Sequence, residues 1–245
     1  MRVKDKVAVI TGGGSGIGQA TAQLFAEEGA KIVIAEINSE GAQETVRLVQ
    51  EAGGEIVSLE ADVSKEADAQ KIAATALDVF GKIDILVNNA AAFVFGAVED
   101  TTGEEWDRVL GVNVKGAAFC VKAVIPAMKE GSGGSIVNIA SISAFIAQPN
   151  YVPYNTSKSA LLNFTRCLAM DLAPFNIRVN ALCPGVTHTP ALEDTMRDSA
   201  MTVEEANVYW GGACFLKRLC QPREVSHGIL FLASDDASFV TGTSL

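Results

Sequence analysis

The sequence predicts an α/β fold: a doubly wound parallel sheet with helices on both faces. Three observations carry this. Short Val/Ile/Ala-rich runs alternate with helix-length segments along most of the chain. The first run leads straight into a glycine cluster, and no repeat, low-complexity tract or Pro/Ser-rich linker breaks the alternation. Runs apolar at every position suit strands buried on both faces, as in parallel sheets. With 245 residues a chain can bury roughly 70–75% of its unfolded surface. One domain spanning 1–245 is expected.

The elements follow in order. Residues 7–11 read as the first strand, followed by the glycines and a helix ending at Gly29. Residues 31–37 form the second strand, and 39–52 a helix closed by Gly53 and Gly54. Residues 55–63 are the third strand, with Ser64 offered as the cap of a helix reaching Phe80 and Gly81. A fourth strand covers 83–88, and Thr102-Gly103-Glu104-Glu105 presents a capping box to a helical stretch ending near Glu130. The fifth strand spans 135–140, and a helix over 151–173 stops before Pro174. The sixth strand covers 177–183. The pattern loosens over about 188–221, where a segment following a strand's C-terminal end reads as a lid over the ligand crevice of an open sheet.

Composition removes several function classes. The formal net charge is −10, from 19 Lys and Arg against 29 Asp and Glu. Such a surface repels phosphate backbones and anionic lipids, so neither a nucleic acid nor a membrane is expected as partner. No uninterrupted apolar run reaches the roughly 20 residues that span a bilayer, and no signal-peptide core opens the chain, so a cytoplasmic protein is expected. Five cysteines without a Cys-x-x-Cys pair suggest neither a disulfide framework nor a zinc cage. Two histidines without a His-Glu-x-x-His pattern predict no metal site, and the lack of a Gly-x-Ser-x-Gly elbow argues against a serine hydrolase.

What remains is the glycine loop. Gly12-Gly13-Gly14-Ser15-Gly16-Ile17-Gly18 lies between strand and helix, where glycines let backbone N–H groups approach a pyrophosphate at the positive end of the helix. As isolated text this is a glycine-rich turn; its place in a strand–helix–strand unit makes it a dinucleotide signal of the Rossmann type. Glu36 ends the second strand, 18 residues after Gly18. A carboxylate there suits the hydroxyls of an adenosine ribose and repels a 2′-phosphate, which favours NAD as cofactor. Tyr154 and Lys158 stand four apart on a predicted helix and share a face, with Ser141 at a strand end. An ammonium beside a tyrosine stabilises its phenolate, which is how a group with a reference pKa near 10 becomes a base.

Together, Thr11-Gly12-x3-Gly16-x-Gly18, Asn88-Asn89-Ala90, Asn113, Ser141 and Tyr154-x3-Lys158 closely resemble the short-chain dehydrogenase/reductase family, over essentially the whole chain. The resemblance implies Tyr154 as general acid/base and Ser141 as the hydrogen-bond partner of the substrate oxygen. Lys158 would hold the nicotinamide ribose and lower the tyrosine pKa, and Asn113 would anchor a water relay to Lys158. Gly12, Ser15, Gly16, Ile17 and Gly18 would hold the pyrophosphate, Asp62, Val63 and Asn89 the adenosine side, and Pro184, Gly185, Val186 and Thr189 the nicotinamide. It also implies a homotetramer, in line with two long apolar helical stretches. Two positions depart from the family pattern. Ala91 stands where a glycine is usual, which would cost about 1 kcal/mol at positive φ, and Thr241–Leu245 ends short of the usual last strand.

A substrate pocket is expected among Phe93, Val94, Phe95, Ser143, Phe145, Gln148, Tyr151, Tyr209 and Trp210. The lid carries five carboxylates in 191–212 against Arg197 alone. An anionic substrate would want an arginine clamp, so a small neutral alcohol or ketone is favoured. A 3-oxoacyl thioester reductase and a non-catalytic dinucleotide-binding sensor are the alternatives.

Overall fold

Nine α-helices surround one six-stranded parallel sheet in the computed structural model, which describes residues 1–245. Strands β1 (Val7–Thr11), β2 (Lys31–Glu36) and β3 (Glu55–Glu60) alternate with helices α1 (Gly16–Glu27), α2 (Ser39–Glu51) and α3 (Glu66–Phe80). The second half holds β4 (Ile85–Asn88), α4 (Gly103–Leu110), α5 (Ala117–Glu130), β5 (Gly134–Ile139), α6 (Val152–Leu172) and β6 (Ile177–Leu182). Helices α7 (Pro190–Asp198), α8 (Val203–Tyr209) and α9 (Pro222–Ala233) follow.

The strand order is β3-β2-β1-β4-β5-β6. The strand order switches direction between β1 and β4, which opens a crevice beyond their C-terminal ends. Register pairs Val9 with Val33 on one side and with Leu86 on the other. Alternate residues feed opposite layers. Ala8, Ile10, Ile32 and Ile34 pack with Phe25 of α1 and Ile229 of α9. Val9, Val33 and Leu86 pack with Ile72 of α3 and Val124 and Met128 of α5. Burial on both faces is why these strands are apolar throughout.

Several expectations need adjustment. The third strand stops at Glu60, after which Ala61 makes a last bond to the Glu36 carbonyl at 3.1 Å. Asp62 and Val63 therefore lie in the loop at the crevice. Ser64 does not cap α3: Lys65 occupies that position, and the Ser64 hydroxyl instead donates to Asp62 at 2.7 Å. The capping box at Thr102 and Glu105 is present. The helical stretch it opens is interrupted by a π-helical segment, Gly111–Gly116. Contrary to the reading of apolar runs, Gly103–Glu130 taken as one helix is long and apolar enough to cross a membrane. Here its apolar residues Cys120, Val121, Val124 and Met128 are buried against the sheet.

Ala91 is not among the residues at positive φ, so the penalty considered for it does not arise. At the chain's end, Ala181 N–H donates to the Thr243 carbonyl at 2.9 Å and Cys183 N–H to that of Leu245 at 2.7 Å. These last residues lie parallel along β6.

Candidate active site

The first wall of the crevice comes from the turn between β1 and α1. Gly16 takes φ +53°, which an L side chain rarely adopts, and a Cβ on Gly18 would stand 2.0 Å from the Gly12 carbonyl oxygen. Ser15 occupies the N-cap of α1, but its hydroxyl caps nothing and the first turn holds no carboxylate. The leading N–H groups of α1 are therefore open towards the crevice, an arrangement suited to an anion.

Glu36 stands at the end of β2 beside that turn. One carboxylate oxygen accepts from Gly14 N–H at 3.0 Å, and the other from Ile37 and Asn38 N–H at 2.8 and 3.1 Å. These bonds fix the carboxylate at the crevice edge. Hydrogen bonds from Ser64, with a smaller contribution from Lys65, hold Asp62 below the usual carboxylate range against opposing burial. Asn89 Nδ2 donates to the carbonyls of Thr11 and Gly12 at 3.1 and 2.8 Å, tying β4 to the glycine turn.

Tyr154 and Lys158 face the crevice from α6, and Ser141 stands just beyond β5. All three are buried. Lys158 Nζ donates to the Ile139 carbonyl at 2.7 Å and stands 5.7 Å from the centre of the Tyr154 ring. Burial pushes the lysine down to about 8. It pushes the Tyr154 phenol up to about 12, against an opposing contact with Ser141. The expected lowering of the tyrosine is therefore not found in this arrangement. The ammonium bonds the Ile139 carbonyl rather than the phenol, and desolvation of the phenol is the largest influence on it.

A cleft of about 980 Å³ joins these walls. It is lined by Gly12, Ser15, Gly16, Ile17, Glu36, Asp62, Val63, Asn89, Ser141, Tyr154 and Lys158, and by Pro184, Gly185, Val186 and Thr189. Two named residues lie outside it. Gly18 packs beneath the turn. Asn113 is 1% exposed in the π-helical segment, below the cleft floor. Its Oδ1 accepts from Ala92 N–H at 2.7 Å, and its Nδ2 donates to Ala92 O at 3.0 Å and Ser157 Oγ at 2.9 Å. Both amide N–H donors are thus spent on Ala92 and on Ser157 of α6, while Oδ1 keeps one lone pair free.

Aromatic rings flank Tyr154. Phe93 stacks on it at 5.4 Å between centroids and Phe95 meets it edge-on at 5.6 Å, while Phe95 touches Tyr151 at 4.5 Å. Ser143, Gln148 and Trp210 also line the cleft, but Val94 is buried and Phe145 and Tyr209 are exposed outside it. Sequence reasoning missed Asp107 and Arg108, which reach the cleft from α4. Arg108 donates to the Phe93 carbonyl at 3.2 Å, so the crevice does contain an arginine. Its place in the helical stretch that leads to Asn113 was the available signal.

An open parallel sheet with a glycine turn and a buried Tyr–Lys pair at its switch point is the build of a dinucleotide-dependent oxidoreductase. Comparison with known proteins narrows the class. The family model described as enoyl-(acyl carrier protein) reductase matches residues 12–245. A cyclopentanol dehydrogenase of Comamonas sp. is 39% identical over 244 residues, covering 100% of this chain and 96% of the relative. Among solved structures, a levodione reductase aligns with TM-score 0.94 at 33% identity, covering 100% of this chain and 96% of that one. An actinorhodin polyketide ketoreductase with NADPH aligns with TM-score 0.93 at 32% identity, covering 98% and 94%. The chain belongs to the short-chain dehydrogenase/reductase family, and is an oxidoreductase of that family that uses a nicotinamide dinucleotide.

Proposed function

We propose that the protein transfers a hydride between NAD(H) and a small neutral secondary alcohol or ketone, with Tyr154 as general acid/base. The observation that carries this reading is the buried set of Tyr154, Lys158 and Ser141 in the cleft that the glycine turn opens.

The residues fit the cofactor. Uncapped N–H groups at the start of α1 suit a pyrophosphate. The Glu36 carboxylate suits ribose hydroxyls and disfavours a 2′-phosphate, which supports NAD although one structural relative is described with NADPH. Lys158 spends one donor on Ile139 and keeps two for the other ribose. When bound, the nicotinamide accepts or donates the hydride.

In the oxidation direction the Tyr154 phenolate takes the hydroxyl proton as the carbon–oxygen double bond forms. Ser141 Oγ donates to that oxygen and keeps it oriented. Phe93, Phe95 and Tyr151 surround the Tyr154 ring, which is 9% exposed, and limit the water that reaches it. In reduction the same phenol returns the proton.

The aromatic wall suits an apolar, ring-shaped neutral body, and the names of cyclopentanol dehydrogenase and levodione reductase point the same way. Asp107 and Asp194 share the cleft with Arg108 and keep it from being a cationic site. Arg108 does favour one second reading, a reductase of 3-oxoacyl thioesters, but the net charge of −10 opposes docking of an acidic carrier. The test is a panel of cyclic secondary alcohols, ketones and a 3-oxoacyl thioester with each nicotinamide cofactor. NAD-linked turnover of the neutral rings is expected. Turnover of the thioester alone would replace this reading by the second. Cofactor binding without turnover of any substrate would favour a sensor.

A further inference from the structure

We propose that Gln148 is a specificity-determining residue that selects ketones carrying a second, neutral oxygen on the same ring. The proposal rests on the reading of the cleft as a ketone site and names the substrate class within it.

The argument starts from Ser143, a buried residue two positions after Ser141. Its N–H donates to the Ser141 hydroxyl oxygen at 3.1 Å, and its own hydroxyl donates to Gln148 Oε1 at 2.8 Å. Ser141, Ser143 and Gln148 thus form one hydrogen-bonded unit, and all three line the cleft. Ser143 thus links the Ser141 hydroxyl to the glutamine amide through its own N–H and hydroxyl.

Gln148 is half-buried, and its Nε2 has no partner within the protein. Holding Oε1 with a serine sets the plane of the amide and leaves its two N–H donors for something in the cleft. A neutral donor of this kind suits a carbonyl, hydroxyl or ether oxygen. A carboxylate would be better served by a cation. The apolar part of the ring would lie against Phe93, Phe95 and Tyr151, while Ser141 and Gln148 take its two oxygens.

The test compares cyclohexanone with cyclohexane-1,4-dione and 3-hydroxycyclohexanone, using wild type, Gln148→Leu, Gln148→Glu and Ser143→Ala. Wild type should prefer the two-oxygen ketones. Gln148→Leu should lower kcat/KM for them by about 3- to 10-fold, the range of one neutral hydrogen bond. The loss should fall mainly on KM and should be clearly larger than any loss for cyclohexanone. Gln148→Glu keeps an oxygen for Ser143 but removes the donors, so it should lose the same preference even if the leucine variant folds poorly. Ser143→Ala frees the amide and should lose part of it. If both ketone types fall together in the Gln148 variants, or the preference survives them, the role assigned to Gln148 is wrong while ketone reduction stands. If wild type reduces none of the three with either cofactor, the ketone reading fails and this inference with it.

Discussion

Lys158 donates from Nζ to the carbonyl oxygen of Ile139 at 2.7 Å, joining α6 to the last residue of β5. The bond holds the ammonium two residues before Ser141 and fixes which way the lysine points into the cleft. No carboxylate bonds the ammonium, and the side chain is 2% exposed. A buried cation with one carbonyl for company is costly to keep charged, which is why its pKa falls to about 8.

That cost predicts a stability gain on removing the charge. Above the ordinary lysine value of 10.5 the side chain is neutral in both folded and unfolded chains. As pH falls from there to about 8 the unfolded lysine binds a proton that the folded site refuses, so stability is lost through this window and the penalty is complete below it. Lys158→Met should therefore raise the melting temperature near neutral pH, by up to about 3 kcal/mol of stability, and the gain should vanish above about pH 10.5. Turnover should be lost. Melting curves at both pH values decide it; a lower melting temperature for the variant at neutral pH would mean that the Ile139 bond outweighs desolvation.

Glu36 should set the cofactor. Its carboxylate is pinned by three backbone N–H groups and cannot swing away from a 2′-phosphate. Wild type should favour NAD(H) over NADP(H) by at least about 10-fold in kcat/KM, since opposed like charges cost several kcal/mol. Glu36→Ser should narrow that ratio by weakening NAD and relieving the repulsion. Equal efficiency of wild type with both cofactors would remove Glu36 from this role.

The sheet was readable because strands buried on both faces have unbroken apolar centres, so 7–10 and 32–35 announce themselves without alternation. Their ends were harder. The third strand runs on in sequence through Ala61 and Val63, and only the loss of pairing with β2 stops it at Glu60. Helix α9 went unread although Pro222 at its first turn and a capping box of Gln221 with Glu224 mark its start. Site residues tied to a local motif were legible, as with Tyr154 and Lys158. Arg108 and the tertiary bonds of Asn113 were not, because they depend on where α4 and the π-helical segment pack.

A homotetramer is expected in solution. Met170 on α6 is 82% exposed and Phe239 is 102% exposed, large apolar surfaces that association would cover. Sedimentation at micromolar concentration should give four copies, and Met170→Glu should shift the distribution towards smaller species. A monomeric wild type would contradict this.

Tyr154 offers the most direct test of the chemistry. Its ring is held by Phe93 on one face and Phe95 at an edge, so Tyr154→Phe keeps the packing and removes only the titrating oxygen. Folding and NAD binding should be nearly unchanged, and turnover should fall by at least about 100-fold, the scale of general acid–base contributions. Oxidation by wild type should rise with pH, because the base form is the phenolate, which burial disfavours by pushing the phenol up to about 12. Reduction uses the phenol and should fall over the same range. The limb belongs to the Tyr154–Lys158 pair rather than to either residue. Near-normal turnover by Tyr154→Phe at saturating substrate and cofactor would overturn the mechanism, because the proton exchange would then run through a group other than the phenol.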